Sequence, residues 1–152
     1  MSFAKNNGYY LQSDYYYKTY QEKSLACQTS RSTNKKYMST MVSKVMTFQS
    51  VATIQNIVQY QPVAVLLSAN DCFIYFKTGV LREKDCPCAM TDSYNQVSVN
   101  HAGVIVGFAS STQYAGCSGY WIVKNSWDVN WAESGYIKLC IRTSSSVGTC
   151  NV

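Results

Sequence analysis

Three apolar stretches, HAGVIVGFA (101–109), YWIVKN (120–125) and GYIKLCI (135–141), follow one another with only Ser-, Gly- and Asn-rich turns between them. Each is strand-sized and rich in β-branched or aromatic residues. Parallel neighbours would need a crossover of a dozen or more residues, usually a helix, and no helix fits in these gaps. The last third of the chain is therefore expected to be an antiparallel sheet or partial barrel.

Upstream, SVATIQNIVQYQP sets Val51, Ile54 and Val58 on one helical face, with Ser50 as N-cap and Pro62 as terminator, which predicts a helix of about three turns. PVAVLL (62–67) is short, apolar and β-branched, as a buried strand would be. ANDCFIYFKTGVL spaces Cys72, Phe73 and Phe76 for a second short helix that stops at Gly79. The first fifty residues are dominated by Asn, Tyr, Ser, Thr and Lys without a long periodic pattern, and read as loop with short extended pieces. The expected class is α+β, with a mostly loop segment at 1–49 and the folded β domain at 50–152.

Composition narrows the function classes. A chain of 152 residues, 47% hydrophobic, fits one compact unit able to bury a core. Its longest uncharged apolar stretches fall far below the roughly 20 residues that span a bilayer, so no membrane span is expected. The polar, tyrosine-rich N-terminus has no apolar core of a secretory signal. Net charge is +5, but Lys35, Lys36, Lys77, Arg82, Lys84, Lys138 and Arg142 are scattered, which argues against a nucleic-acid partner. Seven cysteines are many for a reducing compartment; an even subset can form bridges, leaving one over. Cys86-Pro87-Cys88 is too tight for zinc-finger spacing and the chain has one histidine, so neither a metal site nor a cofactor is expected.

That histidine, His101, sits where a polar edge turns into an apolar run. A lone imidazole beside a strand is more often a satisfied structural residue than a catalyst. The surrounding stretches alter that weighing. NHAGVIVGFA followed by YWIVKNSWDVNWAESGYIKL resembles the histidine and asparagine segments of papain-like cysteine peptidases of the cathepsin L type. QPVAVLLSANDCFIYFKTGVL resembles the strand, helix and turn before that histidine, and NNGYYLQSDYYYKTY the segment leading to the family's Tyr-Pro-Tyr.

The resemblance implies a chemistry that can be stated physically. A thiol is a good nucleophile at neutral pH when a nearby imidazole stabilises its thiolate, and the imidazole then returns a proton to the leaving amine. A third group must hold the ring in the useful tautomer. On this resemblance His101 is the acid/base, Asn125 its orienter, and Trp127 both shields their hydrogen bond and walls the leaving-group side. Leu66, Val99 and Ala102 align with the pocket for an apolar substrate side chain, although a strand core would contain the same residues. Cys86 and Cys150 match a disulfide of the fold, and Cys27 matches a cysteine whose partner lies upstream.

The same resemblance implies what is not here. Family members carry the nucleophile in a Cys-Gly-Ser-Cys-Trp type motif about 130 to 150 residues before the His and Asn. It would precede Met1, together with the oxyanion-hole glutamine and most of the left-hand lobe. The expected fold is thus a papain-like right-hand lobe with two short helices, the left-hand lobe mostly missing, and 1–49 a remnant of the left-lobe or interlobe segment. None of the seven cysteines has a nucleophile's surroundings; each reads as a bridge or core thiol. Tyr15-Tyr16-Tyr17 replaces Tyr-Pro-Tyr, and Asp128 and Ala132 stand where the family has glycine, which costs stability or shifts the loop if φ is positive there. Two expectations result. One is the C-terminal half of a cysteine peptidase, acting on a peptide or protein substrate once a nucleophile-bearing chain completes it. The other is a non-catalytic structural or interaction subunit, with a protein partner covering the missing lobe.

Overall fold

The computed structural model describes residues 8–11, 13–15, 26, 50–88, 90–94, 96–142 and 148–152. Cys27 and the Tyr16-Tyr17 pair lie outside them. The chain divides into two compact units, Met1–Thr47 and Phe48–Val152. In the first, the rings of Tyr10 and Tyr15 stack at 5.8 Å and the backbone N–H groups of Asp14 and Tyr15 both donate to the Leu11 carbonyl.

In the second unit the elements run α1 (Val51–Val58), β1 (Val63–Leu67), α2 (Asp71–Ile74), β2 (Val80–Leu81), β3 (Met90–Thr91), β4 (Val97–Ser98), β5 (His101–Ser110), β6 (Cys117–Lys124) and β7 (Tyr136–Arg142), then a 3₁₀ turn at Thr149–Asn151. One five-stranded sheet has the order β1-β5-β6-β7-β2, and β3 pairs with β4 separately. All neighbours in the large sheet are antiparallel except β2 with β7. The antiparallel meander predicted from the three late stretches is present, and the class is α+β.

The alternation of β6 and β7 builds the core. Trp121 and Val123 on β6, and Ile137, Leu139 and Ile141 on β7, are buried together with Leu67, Phe73 and Ile105. Successive side chains on a strand point to opposite faces, so a strand with one solvated face buries every second residue. β1 obeys this as well: Ala64 and Leu66 are exposed between the half-buried Val63 and Val65. The expectation of a fully buried strand at 62–67 is thereby corrected. β1 is an edge strand, and its apolar run covers the core with one face only.

α1 starts where predicted, with the Ser50 hydroxyl accepting from the Thr53 N–H at 3.2 Å, but ends at Val58 after little more than two turns. α2 is shorter than expected, four residues against a run to Gly79. Tertiary bonds take over the groups that would prolong it. The Ile74 carbonyl accepts from the Trp131 indole at 2.8 Å and the Gly79 N–H donates to Glu133 at 2.9 Å.

Three disulfides close the unit: Cys72–Cys86, Cys88–Cys150 and Cys117–Cys140. The expected pairing of Cys86 with Cys150 is incorrect. Cys86 reaches back to α2, and its neighbour two positions on takes Cys150, because Pro87 separates two sulfurs that face different segments.

Asp128 and Ala132 both have positive φ, 71° and 46°. These are the positions where glycine would carry no Cβ penalty. Asp tolerates this region and its Oδ1 takes the Val129 N–H, whereas Ala132 has no such compensation. Ala132→Gly is expected to stabilise the protein by about 0.5–1 kcal/mol, the relief at φ exceeding the added freedom of the unfolded chain. Thermal or denaturant unfolding of the two proteins checks it; an unchanged or lower midpoint would show that Ala132 is unstrained.

Candidate active site

His101 opens β5 and pairs in register with Leu67 on β1, while the ladder to β6 begins only at Val104, so β1 alone flanks its backbone within the sheet. Asn125 follows directly on β6, and its backbone N–H donates to Gly135 O at 2.9 Å. That bond closes the loop 125–135 on itself. Gly135, at φ 87°, must be glycine for the closure: an added Cβ would lie 3.1 Å from the Asp128 carbonyl oxygen in a conformation side chains avoid.

The two side chains meet. His101 Nε2 lies 2.8 Å from Asn125 Oδ1, and the same oxygen accepts the Ser126 backbone N–H at 2.7 Å. A backbone N–H is a donor in every state, so the Asn125 atom facing it is the carbonyl oxygen. Nε2 must therefore carry the proton, which leaves Nδ1 with a lone pair in the neutral ring. Asn125 is only 9% exposed, so this bond sits in a low-dielectric setting that strengthens it.

Aromatic rings back the imidazole. Trp127 lies 4.6 Å from it centroid to centroid and Phe73 5.9 Å, while Phe73 and Trp131 stack at 5.4 Å and Trp127 meets Trp131 at 5.2 Å. Phe73 and Trp131 were not singled out as site residues in the sequence. Phe73 had been accounted for by helical spacing, and nothing local shows that α2 points it at residue 101. Asn100 was missed too: its side chain accepts from Ala69 N–H at 2.8 Å and donates to Ala69 O at 3.1 Å, pinning the approach to His101 to the loop after β1.

Leu66 and Ala102 are register partners across β1 and β5, on the strand face opposite Leu67 and His101. Leu66 is 64% exposed and Val99, two residues before His101, is 38% exposed. All three are exposed apolar residues and not parts of the core. Among the described residues every cysteine is in a disulfide, so none offers a thiol to the imidazole.

The far end of the 125–135 loop is held by charge. Glu133 Oε2 pairs with Lys138 Nζ at 2.6 Å, and Oε1 accepts from the Thr78 hydroxyl at 2.8 Å and the Gly79 N–H at 2.9 Å. The Lys138 hydrogen bond first, then that of Gly79, bring the Glu133 carboxyl down to about 2. The Lys138 ammonium is raised by the same bond. A carboxyl lowered on folding contributes stability above its ordinary pKa, near 4.5, and loses it as pH falls through about 2. The stability gap between the wild type and Glu133→Gln is thus expected to be about 1–2 kcal/mol at neutral pH, allowing for screening of a pair 32% and 28% exposed. It should shrink below pH 4.5 and close near pH 2; a gap independent of pH would refute the assignment.

Matches to known proteins give the family and the fold. The model of the papain family cysteine proteases matches residues 1–152. Fruit bromelain of Ananas comosus is 37% identical over 95 residues, covering 62% of this chain and 23% of that protein. Papaya proteinase 4 of Carica papaya is 29% identical over 153 residues, 100% of this chain and 39% of that one. The chain thus spans well under half the length of the curated relatives it matches. Among solved structures, a Carica candamarcensis cysteine protease in complex with E-64 superposes with a TM-score of 0.75 at 22% identity, over 99% of this chain and 61% of that one. The bromelain protease from Ananas comosus in complex with E64 has a TM-score of 0.54 at 35% identity, over 66% and 41%. Matched along its whole length and sharing the fold of these enzymes, the chain belongs to the papain family of cysteine proteases.

Proposed function

We propose that this chain supplies the acid/base half of a cysteine peptidase, with the nucleophilic thiolate coming from a separate segment. The observation that carries this is the shared Asn125 oxygen, which commits His101 to the Nε2–H form and leaves Nδ1 ready for a thiol proton. In the acylation step a thiol placed beside Nδ1 gives up its proton to that nitrogen and attacks the peptide carbonyl. The imidazolium then delivers the proton to the departing amine, breaking the C–N bond. Water, deprotonated by the neutral ring, releases the acyl group as a carboxylic acid and restores the thiol. Asn125 stays on Nε2 throughout, and the aromatic rings of Trp127 and Phe73 keep competing water from that bond.

Leu66, Val99 and Ala102 are assigned to the wall that accepts an apolar substrate side chain, since all three are exposed apolar residues and Val99 and Ala102 flank His101 in the chain. The test pairs this chain with the nucleophile-bearing half of a family member and treats the mixture with a peptidyl epoxide. Labelling of the partner's thiol only when this chain is present is the expected result. Absence of labelling in a complex shown to have formed would discard the reading in favour of a non-catalytic subunit.

A further inference from the structure

The imidazole packs on two walls that belong to different parts of the chain and that meet each other through the Phe73 and Trp127 rings, 5.7 Å apart. One is α2 with the turn behind it, residues 71–79, which supplies Phe73; the other is the loop 125–135, which supplies Asn125 and Trp127. Besides the ring contacts of Phe73 with Trp127 and Trp131, hydrogen bonds tie them together. The Trp131 indole donates to Ile74 O, and the Glu133 carboxylate takes both Thr78 Oγ1–H and Gly79 N–H, more than fifty positions away in sequence.

The geometry points to Glu133 as a positioning residue for the His101–Asn125 pair: its grip on Thr78 and Gly79 keeps the two walls closed on the imidazole. This rests on the reading of His101 and Asn125 as the acid/base pair. Glu133 touches neither His101 nor any reacting atom. It acts at the end of the loop opposite Asn125, which is itself anchored next to Glu133 through Gly135 O. A carboxylate suits the task, because one oxygen can accept two donors from the 78–79 turn while the other is neutralised by Lys138 on β7. Both functions are separable in principle. Oε1 ties wall to wall, whereas the Lys138 pair joins Glu133 only to its own neighbouring strand.

That separation makes a test that needs no turnover. The full chain contains one histidine, so its ring N–H signal in a nitrogen-15 NMR spectrum is unambiguous, and its rate of exchange with water reports how often the walls open over the Nε2–H. Glu133→Ala is expected to speed that exchange at least about tenfold in a chain that remains folded. Glu133→Gln keeps an oxygen for Thr78 and Gly79, and Lys138→Met leaves Oε1 untouched; both should lower the unfolding midpoint yet keep exchange within about twofold of wild type. Where Glu133→Ala does not fold, Thr78→Val decides, with about threefold faster exchange expected from the loss of one of the two bonds. Unchanged exchange in folded Glu133→Ala or, failing that, in Thr78→Val overturns the inference. So does acceleration by Lys138→Met equal to that of Glu133→Ala, since stability alone would then move the signal. An epoxide experiment that fails leaves these measurements intact, and the reverse also holds.

Discussion

Replacing His101 with alanine is expected to lower the rate of amide hydrolysis by about 10²–10⁴-fold in the complex of this chain with a nucleophile-bearing half, measured as kcat/KM on a peptide amide. On the proposed mechanism the ring provides both proton transfers, from thiol to Nδ1 and from imidazolium to amine, and no other histidine exists in the chain to substitute for it. Asn125→Ala should cost less, since Phe73 and Trp127 still confine the ring. That change nevertheless leaves the Ser126 N–H and Nε2–H without their common acceptor, so the preference for the productive tautomer weakens. Equal rates for His101→Ala and wild type would mean that the chemistry lies elsewhere.

The largest effect on stability is expected from the Cys88–Cys150 bridge. It closes a loop with a sequence separation of 62, against 14 for Cys72–Cys86 and 23 for Cys117–Cys140. On the chain-entropy view, removing it costs about 4 kcal/mol, compared with about 3 kcal/mol for the shortest loop. More than entropy depends on it. Cys150 and Asn151 adopt positive φ, and Asn151 Nδ2 donates into a cluster formed by Ser68 Oγ, Met90 O and Ser98 O at 2.6–3.0 Å. The Cys150 carbonyl also takes the Ser68 N–H directly after β1. The C-terminal turn is thus a clasp over the end of the strand that pairs with His101. The double variant Cys88→Ser, Cys150→Ser is expected to unfold at markedly lower denaturant than Cys72→Ser, Cys86→Ser. The opposite order would show that the bridge beside α2, and not the clasp, holds the unit together.

Much of the site could be read in the chain because its chemistry is packed into short local patterns. Asn125, Ser126 and Trp127 are consecutive, and His101 opens a ten-residue strand, so the resemblance to papain-like peptidases, carried by these short stretches, was what suggested that the two polar side chains work together. The same alternation that makes β6 and β7 visible as strands selects Trp121, Val123, Ile137 and Leu139 as core. Positive φ at Asp128 and Ala132 was foreseeable too, from glycine's place at those positions in the resembling pattern.

What the amino-acid order alone determined, then, is the antiparallel sheet and the cap at Ser50, set by periodicities and contacts within a few residues or between adjacent strands, and, through the resemblance of its short motifs, the candidate pair at 101 and 125. Only the tertiary structure decided which sulfurs join, where α2 stops, that Phe73 packs on the imidazole, and that Trp131 and Glu133 bond to the segment 74–79. These choices are made between residues 14 to 57 positions apart, Cys72 with Cys86, Trp131 with Ile74, Glu133 with Thr78. At such separations local propensity carries no information. The partner is chosen by whichever group the packed sheet leaves within reach, because a buried donor or acceptor that finds none costs more than the helix turn given up to supply it.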